Sequence, residues 1–275
     1  RKANLMRSEP EPKPLTQDLA GRLDSGLKRE ALIQAGAGLS ATILLGWLAQ
    51  IWLAFPPLAI LIAASVYLVF IGLVFLWLPE HSPHLRLGTA NRITIFRAAL
   101  VANLAAASLT PAIFMSHGLA MAAIMVFTFA LDGVDGWFAR RFSQASRFGA
   151  RLDQELDAAF TLVLAATIFW MDKASAWILL AGAWHYLFHG LRSAFPGFRN
   201  NLPFSHRRRT ICGAVVASLI ACASPFLEPP YAEFLGLAIV ILLSASFLID
   251  ILWLWWLFGL RSPHNIDAAP QQDTD

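Results

Sequence analysis

No Asp, Glu, Lys or Arg occurs between Glu30 and Glu80, and none between Arg97 and Asp132. Runs of that length cannot cover a water-facing surface, so both must lie against apolar material. A helix needs about 20 apolar residues to cross a bilayer; the first run is long enough for two such helices, and the second for two that extend a few residues past its ends. Phe55-Pro56-Pro57 breaks the first run and Ser116-His117-Gly118 the second, both with residues that punctuate helices. Further apolar runs cover 154–171, 174–191, 210–227 and 232–258. With 57% hydrophobic and only 14% charged residues, the chain falls outside the soluble class. The expected fold is all-α: a polytopic membrane helical bundle of eight spans, two N-terminal ones and then six. No cleavable signal peptide is expected.

Lys and Arg set the expected orientation. They gather before span one (Arg22, Lys28, Arg29), between spans two and three (Arg86, Arg92), and between four and five (Arg140, Arg141, Arg147, Arg151). They gather again between six and seven (Arg192, Arg199, Arg207, Arg208, Arg209) and after span eight (Arg261). In the alternate loops only Lys173 interrupts the pattern. Both termini are therefore expected in the cytoplasm. The net charge of +3 is assigned to loops facing anionic membrane lipid, with no nucleic-acid partner.

Against this apolar background, Asp132, Asp135, Asp153 and Asp157 stand at the ends of two apolar segments, where carboxylates are costly and functional by default. Asp132 and Asp135 are three apart with Ala139 one turn on, and Gly149, Asp153 and Asp157 recur every four, so each set lines one helical stripe. If the two helices pack together, four carboxylates converge. Without compensation they would repel one another. Two divalent cations would relieve that, and all-oxygen ligation favours Mg²⁺, Mn²⁺ or Ca²⁺ over zinc or copper.

The string D-x-x-D-G-x-x-A-R, eight residues, then G-x-x-x-D-x-x-x-D is formed by Asp132, Asp135, Gly136, Ala139, Arg140, Gly149, Asp153 and Asp157. It resembles the signature of the CDP-alcohol phosphotransferase (CDP-alcohol phosphatidyltransferase) family, integral membrane enzymes of phospholipid synthesis. Asn91, Thr94 and Arg97 likewise resemble the N-x-x-T-x-x-R element that opens the family's six-span core; in the family this face borders the nucleotide. The resemblance implies transfer of a phosphatidyl group from CDP-diacylglycerol to a polar alcohol with release of CMP. It also implies Mg²⁺ or Mn²⁺, two cations, as cofactor. Asp132, Asp135, Asp153 and Asp157 are the implied ligands, with Asp157 also the catalytic base. Gly136, Ala139 and Gly149 are small enough for the nucleotide to approach the helices closely, and Arg140 offers a planar fork for phosphate oxygens.

The expected division is a tail with an amphipathic helix (1–31), two additional spans (32–79), the family core (86–260) and a second tail (261–275). Residues 1–14, with Pro10, Pro12 and Pro14, are expected to be disordered. Leu15, Leu19, Leu23 and Leu27 recur every four, which suits either a helix on the membrane surface or a solvated leader. Gly36, Gly38 and Gly46 suggest close packing of the first two spans, in a packing or oligomer role; a homodimer is the expected assembly. Cys212 and Cys222, about 15 Å apart by helical rise, cannot pair with each other. His185 and His189 stand at i and i+4, a metal-binding spacing without an evident third ligand in sequence, and Asp250 lies inside span eight without an evident partner.

Three functional readings remain. Glycerol 3-phosphate is the favoured acceptor, because the arginines between spans six and seven suit a phosphorylated polyol; positive-inside topology alone predicts the same arginines. The second enzyme reading is a CDP-choline or CDP-ethanolamine transferase acting on diacylglycerol. A divalent-cation transporter is the reading from another class. Carboxylates confined to one end of the spans, with no inverted repeat, weigh against it.

Overall fold

The computed structural model describes residues 15–81, 86–142, 144, 146–194 and 206–260. Nine α-helices lie among them: α1 (Leu15–Leu53), α2 (Pro57–Trp77), α3 (Gly88–Ser108), α4 (Pro111–Ser116), α5 (Gly118–Arg141), α6 (Arg147–Trp170), α7 (Leu180–Ala194), α8 (His206–Ala223) and α9 (Tyr231–Leu260). The chain is an all-α polytopic membrane protein. Four segments among the described residues are long and apolar enough to cross a bilayer: Gly26–Leu53, Pro57–His81, Gly118–Arg141 and Tyr231–Trp256. Helices also lie on the other apolar segments, but these fall short of that length or apolarity. α3 and α6 carry polar and charged groups along their length, and α7 is only 15 residues long.

The helix ends follow local chemistry. Ala54, with φ of 55°, takes the left-handed conformation that ends α1, and Pro57 opens α2 at a position where its missing N–H costs nothing. Pro111 does the same for α4, a short helix that the apolar run did not reveal. Ser146 caps α6, its hydroxyl accepting from the Gly149 backbone N–H at 3.0 Å. The leader and span one, read separately from the sequence, form one unbroken helix, because nothing between Leu27 and Leu32 interrupts α1. The tails 1–14 and 261–275 lie outside the described residues.

α3 is the hub of the bundle, packing on α1, α2, α5 and α6. Its buried Ala98, Ala99, Ala102, Ala106 and Ala107 let those neighbours come close. α1 and α2 are locked together where the buried Tyr67 hydroxyl donates to the Ala35 carbonyl at 3.2 Å. A Cβ on Gly38 would fall 2.0 Å from that hydroxyl, so this glycine is required. Asn103 of α3 donates to the Thr42 carbonyl at 3.2 Å, joining α3 to α1. Farther along the chain α6 packs on α7 and α8, and α9 on α7 and α8.

The outer surface is apolar. Trp52, Leu58, Leu61, Val69, Leu119 and Leu252 are more than half exposed, as suits side chains facing lipid. Ion pairs lie at both ends of the bundle: Arg92 with Glu30 and Arg151 with Glu80, each at 2.6 Å, where α3 and α6 begin, and Lys173 with Glu228 at 3.5 Å at the other. At the opposite end Lys173 is buried, donating to the carbonyls of Ser224 at 2.7 Å and Leu227 at 2.9 Å. It therefore ties the turn after α6 to the turn after α8, which accounts for a basic residue in a loop where the Lys and Arg pattern predicts none.

Candidate active site

Three helices meet near the start of α3 and α6 and the end of α5. Asp132 and Asp135 share a stripe of α5, Asp153 and Asp157 share a stripe of α6, and Arg97 reaches between them from α3. Arg97 Nη1 lies 2.7 Å from Asp132 Oδ1, 3.0 Å from Asp153 Oδ1 and 3.3 Å from Asp135 Oδ2. Its Nη2 donates to Asp157 Oδ1. Oxygens of Asp132, Asp135 and Asp153 lie within 4.8 Å of one another. All four carboxylates thus converge on one guanidinium.

The environment is asymmetric. Arg97 is fully buried and Asp135 nearly so, whereas the side chains of Asp132, Asp153 and Asp157 are 31, 39 and 45% exposed. Thr94 Oγ1 stands 3.0 Å from Asp135 Oδ2 and 3.1 Å from the Ala90 carbonyl, with one proton to share between them. The cluster therefore has a closed floor, made by Arg97, Asp135 and Thr94, and an open side at Asp153 and Asp157.

Four carboxylates set against one guanidinium outnumber the positive charge of a half-buried site. Cations are the natural compensation. The donors are all oxygen, which suits hard divalent ions, and the guanidinium already marks where positive charge is stabilised. These acidic groups fit a divalent metal.

Asn91 and Gly149 meet at the α3–α6 contact. A Cβ on Gly149 would lie 2.7 Å from Asn91 Oδ1, so helix packing accounts for this glycine. Gly136 is shadowed by the guanidinium of its own helix: a Cβ there would stand 3.2 Å from Arg140 Nη1. Ala139 is half-buried on the same helix and Arg140 is exposed.

The other sequence candidates are dispersed. Asp250 is buried on α9, and Cys212 and Cys222 form no disulfide. Arg192 lies on the last turn of α7 and Arg207, Arg208 and Arg209 on the first turn of α8, while Arg199 lies outside the described residues. His185 and His189 gain a neighbour that sequence reading missed: Glu155 of α6, whose carboxylate lies within 4.8 Å of both rings. Its position midway between Asp153 and Asp157, on the opposite side of the helix, was the available signal.

Comparison with known proteins agrees with this arrangement. A CDP-diacylglycerol–glycerol-3-phosphate 3-phosphatidyltransferase of Pectobacterium atrosepticum is 39% identical over 94 residues, covering 33% of this chain and 48% of that protein. The enzyme with the same description in Yersinia enterocolitica is 35% identical over 98 residues, 34% of this chain and 53% of its own. An Arabidopsis thaliana CDP-diacylglycerol–inositol 3-phosphatidyltransferase is 43% identical over 53 residues, 19% of this chain and 23% of its own. The chain thus spans about half the length, or less, of these relatives. No solved structure matches it significantly. The pattern that defines the CDP-alcohol phosphatidyltransferases matches residues 87–259, from the start of α3 to the end of α9 and including every residue of the carboxylate cluster. With more than half of its length matched, the chain belongs to the CDP-alcohol phosphatidyltransferase family.

Proposed function

We propose that the protein transfers the phosphatidyl group of CDP-diacylglycerol to the hydroxyl of a polar alcohol, glycerol 3-phosphate first, with release of CMP. The observation that carries this reading is the convergence of Asp132, Asp135, Asp153 and Asp157 on Arg97. The bacterial relatives act, by their names, on CDP-diacylglycerol and glycerol 3-phosphate. The plant relative's name gives inositol instead. All three names give CDP-diacylglycerol as donor, which favours this reading over a CDP-choline or CDP-ethanolamine transferase.

In this reading the acceptor oxygen forms a bond to the β-phosphorus while the bond from that phosphorus to the bridging oxygen of CMP breaks. Asp157, the most exposed of the four carboxylates, takes the hydroxyl proton. Asp132, Asp135, Asp153 and Asp157 would hold two Mg²⁺ or Mn²⁺ ions, which when bound neutralise the pyrophosphate and the charge growing on the leaving oxygen. Arg97 sets the positions of the four carboxylates from the floor of the site. Gly136 and Ala139 line the approach of the nucleotide, Asn91, Thr94 and Gly149 pack behind it, Asn91 and Gly149 fixing α3 against α6, and Arg140 pairs with a phosphate oxygen. From the distribution of Lys and Arg, eight helices span a bacterial inner membrane with this site at the cytoplasmic face, and the assembly is a homodimer.

The test is CMP release by purified protein given CDP-diacylglycerol, Mg²⁺ and a panel of alcohols. Turnover with glycerol 3-phosphate supports the reading. Turnover with CDP-choline and diacylglycerol, and none with CDP-diacylglycerol, overturns it.

A further inference from the structure

The opposite face of α6 carries a second constellation. Glu155 is two residues from both Asp153 and Asp157, and so about 200° around the helix from each. It faces α7, where His185 and His189 stand one turn apart. The carboxylate and a nitrogen of each ring lie within 4.8 Å of one another, and the ring centroids are 4.5 Å apart. Backbone packing brings α6 and α7 together here: a Cβ on Gly182, one turn before His185, would stand 2.4 Å from Leu162 Cα. The three groups therefore meet because the helices are pressed together, without long side chains having to reach across a gap.

This is not an ordinary hydrogen-bonded glutamate–histidine pair. His185 Nε2 is 3.6 Å from Glu155 Oε1, beyond hydrogen-bond length. The same nitrogen is sealed from the surface and has no hydrogen-bond partner, an unfavourable state for a buried polar atom. It borders a carboxylate and a second imidazole, so lone-pair donors converge on one small volume.

We propose that Glu155, His185 and His189 bind a divalent transition-metal cation, zinc first, at a site separate from the aspartate cluster. Two imidazoles and one carboxylate are a zinc donor set, with a fourth position left for water. Imidazole nitrogens distinguish this set from the all-oxygen cluster, which suits Mg²⁺. Zinc bonds of about 2.0–2.2 Å hold ligand atoms roughly 3.3 Å apart, a contraction that side-chain rotation supplies. The ion would join α6 to α7 behind the helix that presents Asp153 and Asp157. The proposal does not depend on which substrates the aspartate site takes.

The experiment uses the full chain without a histidine tag, purified in detergent, stripped with EDTA and dialysed against Zn²⁺ in excess Mg²⁺. Elemental analysis should find one zinc retained per chain, and Co²⁺ in its place should give visible d–d absorption. Glu155→Gln and His189→Gln should each weaken zinc binding by more than about tenfold, with the cobalt bands lost. Asp132→Asn and Asp153→Asn should retain the zinc. A monodisperse gel-filtration profile separates loss of the ion from loss of the fold, and a variant that fails to fold leaves the decision to the wild-type cobalt spectrum. Wild-type protein that retains no zinc would overturn the proposal. So would unchanged retention in both Glu155→Gln and His189→Gln, or loss in the aspartate variants.

Discussion

Arg97 and Asp135 face each other at 3.3 Å across the α3–α5 contact, the first wholly buried and the second 3% exposed. A buried guanidinium opposite a buried carboxylate forms the floor of the site, and the remaining three aspartates stand above it. Arg97 therefore has a role that its own helix does not reveal: it is the fixed positive charge around which two other helices arrange their acids.

Replacing Arg97 with Met should leave the buried carboxylate of Asp135 without its partner, at a cost of about 3–5 kcal/mol. Part of that loss should return when Mg²⁺ or Mn²⁺ is added, since an ion that binds only the folded state stabilises it by mass action. Thermal unfolding of wild type and Arg97→Met, in EDTA and then in saturating Mg²⁺, measures this. A variant whose Tm ignores both cations would mean that the cluster does not bind them.

Activity should vanish in EDTA and return with Mg²⁺ or Mn²⁺. Asp132→Asn and Asp153→Asn should lose at least about 100-fold in kcat/KM, on the order of 2.7 kcal/mol, while keeping the wild-type gel-filtration profile. Full turnover in a chelated sample would remove the two-cation account.

Gly149→Ala should be costly although alanine favours helix. The added Cβ would meet Asn91 Oδ1 at 2.7 Å, so Asn91 or α6 must shift, at about 1–3 kcal/mol. Pairing the change with Asn91→Ala should recover most of the stability. If the double variant is no more stable than Gly149→Ala alone, the glycine is small for some reason other than this contact.

The helices were legible because charge is absent from long stretches, and their breaks because Pro56, Pro57 and Gly118 stand where α2 and α5 begin. The stripes of α5 and α6 were legible because Asp132 and Asp135, and Asp153 and Asp157, repeat at helical spacing. What the chain could not disclose was which surfaces meet. The spacing of Asn91, Thr94 and Arg97 gives a shared face on α3, and only packing shows that the Arg97 end lies among the aspartates while Asn91 lies against Gly149. Glu155 was hidden for the same reason, its partners being on α7. The join between leader and span one was missed because charge falls away along α1 while the helix itself continues.

Lys173→Met should lower stability by about 2–4 kcal/mol, because two carbonyls at the far end of the bundle, those of Ser224 and Leu227, lose a charged donor. Catalysis by the folded fraction should be unchanged, since Lys173 is separated from the aspartates by most of the length of α6. A kcat/KM that fell with unchanged Tm would contradict this structural assignment.

The acceptor is tested at the arginines that flank α7 and α8. Arg192 lies on the last turn of α7 and Arg207, Arg208 and Arg209 on the first turn of α8, where either acceptor binding or membrane orientation accounts for them. A phosphate-bearing acceptor needs cations and charge-assisted hydrogen bonds to leave water, and one such bond is worth about 1.5–3 kcal/mol. An arginine that grips only the acceptor should therefore raise the KM for glycerol 3-phosphate by about tenfold or more when changed to Ala, with the KM for CDP-diacylglycerol nearly unchanged. An arginine serving orientation or lipid contact should move both constants little, or lower expression alone. Efficient CMP release with inositol or serine, and none with phosphorylated polyols, would reject glycerol 3-phosphate as acceptor and leave these arginines as topology charges.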